Sequence, residues 1–181
     1  IPQIPQTTEQ LWMNSKMSPQ IASLSLSSFS ALRTVIIGFD CLKNVRTFTV
    51  DGLPVLECFI VNEASCYSAN SEVFFKQGFE DSSPVEGECR ICNCPRLECL
   101  RFAYASFSLY RLLELKNLPS LCSFSLWDCY SFCRCRNLVL DGIPFGGVIK
   151  QIYPYWRHSQ FVLLMVTIIT GRMKRIQITS F

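Results

Sequence analysis

The chain has 181 residues, 49% hydrophobic, 17% charged and 13% aromatic, and a net charge of +3 from 17 Lys and Arg against 14 Asp and Glu. Hydrophobicity at this level excludes a disordered tail, and so slight a basic excess argues against a nucleic-acid binder, whose positive face is normally pronounced. A single His weakens acid–base and zinc-hydrolase chemistry.

Ile1-Pro2-Gln3-Ile4-Pro5-Gln6 has neither a basic region nor an apolar run, so it does not read as a signal peptide. With no initiator Met and a final stretch that reads as mid-strand, the chain is expected to be a fragment truncated at its ends. Residues 1–20 are expected to form an N-terminal segment or partial cap, with a short helix around Glu9 to Met17.

From residue 21 onward one pattern returns. Ser23 to Leu32, Thr47 to Leu56, Glu88 to Leu97, Leu112 to Leu121 and Asn137 to Phe145 each alternate apolar with outward residues and then turn. The turn column reads Ser28, Gly52, Asn93, Asn117, Gly142, and Gly and Asn are the residues that tolerate positive φ. A Pro follows the next apolar residue in four of the five copies, which pre-sets φ beyond the turn.

A second unit follows each turn, apolar at its first, fourth and sixth positions. It starts at Leu32, Leu56, Leu97 and Leu121, and Met173 to Ile178 fits the same frame. Starts 32 and 56 differ by 24, as do 97 and 121, while 56 to 97 is one period plus a polar insertion at about 66–87. An apolar anchor ten or eleven residues after each start (Leu42, Cys66, Phe107, Phe132) is expected to plug a corner. No such coil buries its own apolar column alone, so coils must stack.

The Leu-x-x-Leu-x-Leu unit, clean at Leu97, Leu100, Phe102 and at Leu121, Phe124, Leu126, resembles the leucine-rich repeat superfamily. The 24-residue period with a trailing aromatic resembles its BspA-like, divergent microbial-eukaryote type. The usual Asn ladder is missing, with Phe39, Glu63, Tyr104 and Asp128 near its positions, and the second strand is too regular for the family's helix. The expected fold is therefore mostly β: a leucine-rich-repeat-like solenoid of stacked short parallel strands over 21–181, two per coil, with little helix. The resemblance implies a non-enzymatic binding scaffold.

An irregular coil is expected at about 146–160, because Gly146 stands where Leu is wanted and Ile152 to His158 match no column. The apolar run Phe161–Ile169 is too short for a membrane span, which needs about 20 residues, and reads as a buried strand.

Eleven Cys, an odd count, suit mostly reduced thiols in a cytoplasmic setting better than a paired secreted framework. Cys89-x-x-Cys92-x-Cys94 with Cys99, Cys133 and Cys135 invites a zinc reading. The repeat frame opposes it, placing Cys89 in the core column of Phe48 and Leu113, Cys94 in that of Leu53 and Leu118, and Cys92 outward with Asp51 and Lys116. No metal, cofactor or catalytic residue is expected: His158 has no nucleophile or orienting acid nearby in sequence, and Gly146-Gly147 lacks the Lys and Ser/Thr of a phosphate loop. The cluster Arg172, Lys174, Arg175 reads as a solvated strand face. Cys58 and Cys99 share an outward column on successive coils, where either neighbouring thiols or a disulfide fit.

The expected role is a protein-interaction scaffold, its partner-binding residues Arg33, Ile36, Glu57, Ile60, Glu98, Arg101 and Trp127 lying on the outward face of the Leu-x-x-Leu-x-Leu strands. The alternatives are a structural or surface-adhesive repeat array and a cysteine-based metal-binding or redox module. A protein partner is expected, with no nucleic acid, no transmembrane segment, and self-association through open solenoid ends.

Overall fold

A computed structural model describes residues 4–17, 20–63, 65, 87–103, 106–107, 110–126, 132, 135, 137–144, 149–152 and 175–179. Among these there is no helix, and the backbone winds as a β-solenoid with two strands per coil. Sheet A holds β1 (Gln10–Met13), β3 (Thr34–Ile37), β5 (Cys58–Val61), β7 (Cys99–Phe102), β9 (Ser123–Leu126) and β11 (Ile149–Ile152), in that order. Sheet B holds β2 (Ser23–Ser25), β4 (Thr47–Asp51), β6 (Gly87–Cys92), β8 (Tyr110–Lys116), β10 (Asn137–Asp141) and β12 (Arg175–Thr179).

Stacking follows the repeat frame residue for residue. Leu24, Phe48, Cys89, Leu113 and Leu138 lie side by side across sheet B, and Leu11, Val35, Phe59, Leu100 and Phe124 across sheet A. All ten are buried in one core between the sheets. The alternation of buried and outward residues is what a period of two side chains produces on a pleated strand. One carbonyl binds each pair of neighbouring coils at the entry to sheet A. Arg33 O accepts the amides of Glu57 and Cys58, Glu57 O those of Glu98 and Cys99, and Glu98 O those of Cys122 and Ser123.

The two corners are built differently. At the B-to-A turn, Gly52, Asn93, Asn117 and Gly142 adopt φ of 70°, 53°, 53° and 65°. Ser28 does not; in that first copy the Ser27 hydroxyl instead accepts the Asp51 amide at 3.1 Å. At the A-to-B turn, Leu42, Phe107 and Phe132 are buried at φ of 57°, 54° and 53°, a left-handed conformation that costs a bulky residue about 1–2 kcal/mol and persists only where packing enforces it. The packing is aromatic: Phe107 and Phe132 stack at 5.1 Å and 4° between planes, and Phe102 meets both rings edge-on at 5.5 and 5.1 Å. The corner's polar groups are satisfied within it. Ser65 Oγ donates to Gly38 O at 2.6 Å and accepts from the Cys41 amide at 3.2 Å, Ser106 Oγ donates to Ala103 O at 2.6 Å, and the Cys41 thiol donates to Asn14 O at 3.0 Å.

Three segments depart from expectation. Glu9 to Met17 forms no helix; Gln10–Met13 is strand β1, parallel to β3 with Leu11 beside Val35 and Met13 beside Ile37. Pairing satisfies backbone groups that β3 would otherwise leave open on that edge. Ile152 does have a column: a bulge between Ile149 and Gln151 moves it beside Leu126, because one inserted residue restores register. Within the frame read over Met173 to Ile178, the described part does not continue the Leu-x-x-Leu-x-Leu sheet; β12 joins sheet B and runs antiparallel to β10, Ile178 beside Leu138 and Ile176 beside Leu140. Apolar alternation is the same read in either direction, so it fixes a face and not a strand's polarity. Residues 66–86 of the expected insertion, Cys66 among them, Cys133, His158, Gly146-Gly147, the run 161–169, Arg172 and Lys174 lie outside the described residues, while Gly87, the insertion's expected last residue, opens β6.

Candidate functional site: the outward face of sheet A

Two columns of outward side chains cross sheet A. The first runs Gln10, Thr34, Cys58, Cys99, Ser123, and the second Trp12, Ile36, Ile60, Arg101, Ser125. Each lies on adjacent strands about 4.8 Å apart. Of the residues expected to bind a partner, Ile36, Ile60 and Arg101 therefore sit in one line, half-buried. Arg33, Glu57 and Glu98 occupy the entry row one step before the strands, joined through the shared carbonyls. Trp127 lies outside the described residues.

The charges of that entry row are partly matched to one another. Arg33 Nη1 pairs with Glu57 at 2.9 Å and Arg33 Nε approaches Glu9 at 4.0 Å, all three side chains well exposed. An exposed pair of this kind contributes at most about 1 kcal/mol. The apolar line is the more distinctive feature. Trp12 stands 67% exposed at its head, beside Ile36, and was not among the residues expected from sequence. Its signal was available: Leu11 and Met13 precede Val35 and Ile37 by one period of 24, which puts Trp12 in the column of Ile36. Thr8 in place of the leading Leu hid that copy.

Sheet B presents a contrasting surface. Arg90 pairs with Glu114 and with Glu88, at 3.0 Å for the latter, and Arg111 also pairs with Glu88. The hydrogen bond from Arg90 holds the Glu88 carboxyl below its ordinary value, with Arg111 adding to the effect. At the rim, Asn117 Nδ2 donates to Asn93 Oδ1 and Asn93 Nδ2 to Asp51 Oδ1, both at 2.7 Å, a short ladder of side-chain hydrogen bonds. Arg90, Arg111, Glu88 and Glu114 on this face are matched to one another, whereas sheet A leaves apolar side chains facing outward.

The cysteines are distributed by the pleat. Cys89 and Cys94 are buried, and Cys92 lies in register with Asp51 and Lys116. Burial drives the Cys89 thiol well above its usual value and pushes Cys92, Cys94 and Cys135 up to about 11, so all four are neutral at physiological pH. Among the described residues, no three His, Cys, Asp or Glu side chains converge on a point that would hold a metal ion, and no helix is long and apolar enough to cross a membrane. Cys58 and Cys99 are neighbours in register, half-buried and both free. Comparison with family models, with curated proteins and with solved structures gives no match.

Proposed function

We propose that the chain is a non-enzymatic protein-interaction scaffold of the leucine-rich-repeat kind, and that sheet A is its docking face. The observation that carries this reading is the outward line of exposed Trp12 and half-buried Ile36 and Ile60 on three adjacent strands, continued by Arg101. Aromatic, aliphatic and Arg anchors grouped at the centre of a rigid surface are the composition that interfaces favour. A stacked sheet also keeps these side chains at fixed spacing, so little order is lost on binding. The leucine-rich-repeat affiliation rests on the 24-residue frame and the Leu-x-x-Leu-x-Leu strands.

The test is affinity capture with the wild-type chain, with Trp12→Ala/Ile60→Asp on sheet A, and with Thr49→Asp on sheet B, each first checked for native β structure by circular dichroism. Partners that are lost with the sheet A variant and kept with the sheet B variant support the reading. Identical capture by all three chains overturns it.

A further inference from the structure

Cys58 and Cys99 occupy one rung of sheet A, in register on β5 and β7, both half-buried and both free. They are 41 positions apart in the chain, because the insertion at 66–86 lies between them, yet adjacent in space. Neighbouring parallel strands set paired Cα atoms about 4.8 Å apart, inside the window of about 4.4–6.8 Å that disulfides require. The other outward thiols are placed differently. Cys92 lies in register with Asp51 and Lys116, and Cys122, in the entry row, directs its sulfur at Glu98 O at 3.5 Å.

We propose that Cys58 and Cys99 form a reversible dithiol–disulfide site whose co-reactant is a small aliphatic disulfide of the glutathione class. The thiolate of one cysteine attacks a sulfur of the small disulfide; that S–S bond breaks, and the first small thiol leaves with the electron pair and takes up a proton. The second cysteine then loses its proton and attacks the protein sulfur of the mixed disulfide, releasing the second small thiol. In sum, the protein gives up two protons and two electrons, and one small disulfide becomes two thiols.

The surroundings suit the second step. Burial, and after it the neighbouring sulfur, push the Cys58 thiol up to about 11. A mixed disulfide on Cys99 carries no ionisable proton, so no second thiolate stands beside Cys58 when it gives up its own. With strands about 4.8 Å apart and a usual disulfide Cβ separation of about 3.8 Å, closing the bond would draw the two strands together by about 1 Å, which would favour ready reduction. The site is independent of the docking role of sheet A, since it stands on the thiol pair alone.

The full chain, reduced and then incubated in glutathione buffers of increasing oxidised fraction, is acid-quenched, alkylated and digested for peptide mass spectrometry. The expected product is a peptide linking Cys58 to Cys99 that accumulates with oxidised glutathione and disappears on adding dithiothreitol, while Cys89 and Cys94 stay free. Cys58→Ser is expected to halt at a glutathione adduct on Cys99. Recovery of both cysteines singly alkylated in the most oxidising buffer overturns the proposal, as does a linked peptide that joins either of them to Cys92 or Cys122. Because the linked peptide is sought in the wild-type chain, a folding defect in the variant does not affect that measurement.

Discussion

Phe107→Ala isolates the aromatic corner. The ring is fully buried, and it meets Phe48 at 5.6 Å, Phe102 at 5.5 Å, Tyr110 at 4.8 Å and Phe132 at 5.1 Å, the last face to face. Truncating a core Phe to Ala costs about 3–5 kcal/mol, and aromatic pairs add about 0.5–1.5 kcal/mol each beyond their buried area. With four rings left facing a cavity, the loss belongs near the top of that range, about 4–5 kcal/mol. With a urea dependence of about 2 kcal/mol per molar, the unfolding midpoint falls by about 2 M. The backbone supplies an independent check. Phe107 sits at φ 54°, where Ala is disfavoured and Gly is not. In ordinary strand or helix positions Gly is the less stable of the two by about 0.5–1 kcal/mol. Here Phe107→Gly is expected to be at least as stable as Phe107→Ala. Urea titrations of both variants, followed by far-ultraviolet circular dichroism, read the two quantities together. A loss below about 1.5 kcal/mol for the Ala variant, or the ordinary ordering of Ala over Gly, would refute the account of this corner.

Other perturbations probe other joints. A Cβ on Gly38 would lie 2.5 Å from Met13 O and 2.8 Å from Ser15 N, both backbone, so Gly38→Ala is expected to cost about 1–3 kcal/mol and to loosen β1 first, seen as faster amide exchange at Gln10–Met13 than elsewhere in sheet A. Glu88 is held below its ordinary value of 4.5 in the folded chain, so it adds stability that is fully present above that value and is lost as pH falls toward the folded one. Glu88→Gln is therefore expected to flatten the decline of melting temperature below about pH 4.5, by less than about 1 kcal/mol because the pair is partly exposed; an unchanged acid limb would count against the network. The outer strands β1 and β11 of sheet A each pair on one side among the described residues, so the 181-residue chain is expected to self-associate with concentration. A single monomer species in light scattering across the accessible concentration range would contradict this.

Much of the fold was legible because a repeating apolar frame leaves few ways to bury its columns. Phe48, Leu113 and Leu138 stand in one row of sheet B, with Cys89 between the first two, as the repeat frame required. The turn column was legible at Gly52, Asn93, Asn117 and Gly142 because those residue types advertise positive φ. Leu42, Phe107 and Phe132 share that conformation and advertise nothing, since neighbouring packing imposes it on them. The buried hydroxyls of Ser65 and Ser106 were equally silent: a Ser or Cys before each corner anchor looks like an ordinary loop residue until the carbonyl it reaches is known. β1 was masked by Thr8, and the polarity of β12 by a pattern that reads the same both ways. On the candidate face, Ile36, Ile60 and Arg101 followed from the frame, and Trp12 would have followed from extending it one period earlier.

The polar rungs of the aromatic corner have a consequence for how such a chain lengthens. Ser65 reaches back to Gly38, Cys41 to Asn14 and Ser106 to Asn62, each to the winding immediately before it and no further. At these rungs each winding is laid on its predecessor, whereas the Tyr110 hydroxyl donates to Val45 O at 2.6 Å across the winding of Gly87 and so ties three together. Duplicating one period outside that span would add a storey without rewriting these rungs, so the height of such an array can change while its cross-section stays fixed.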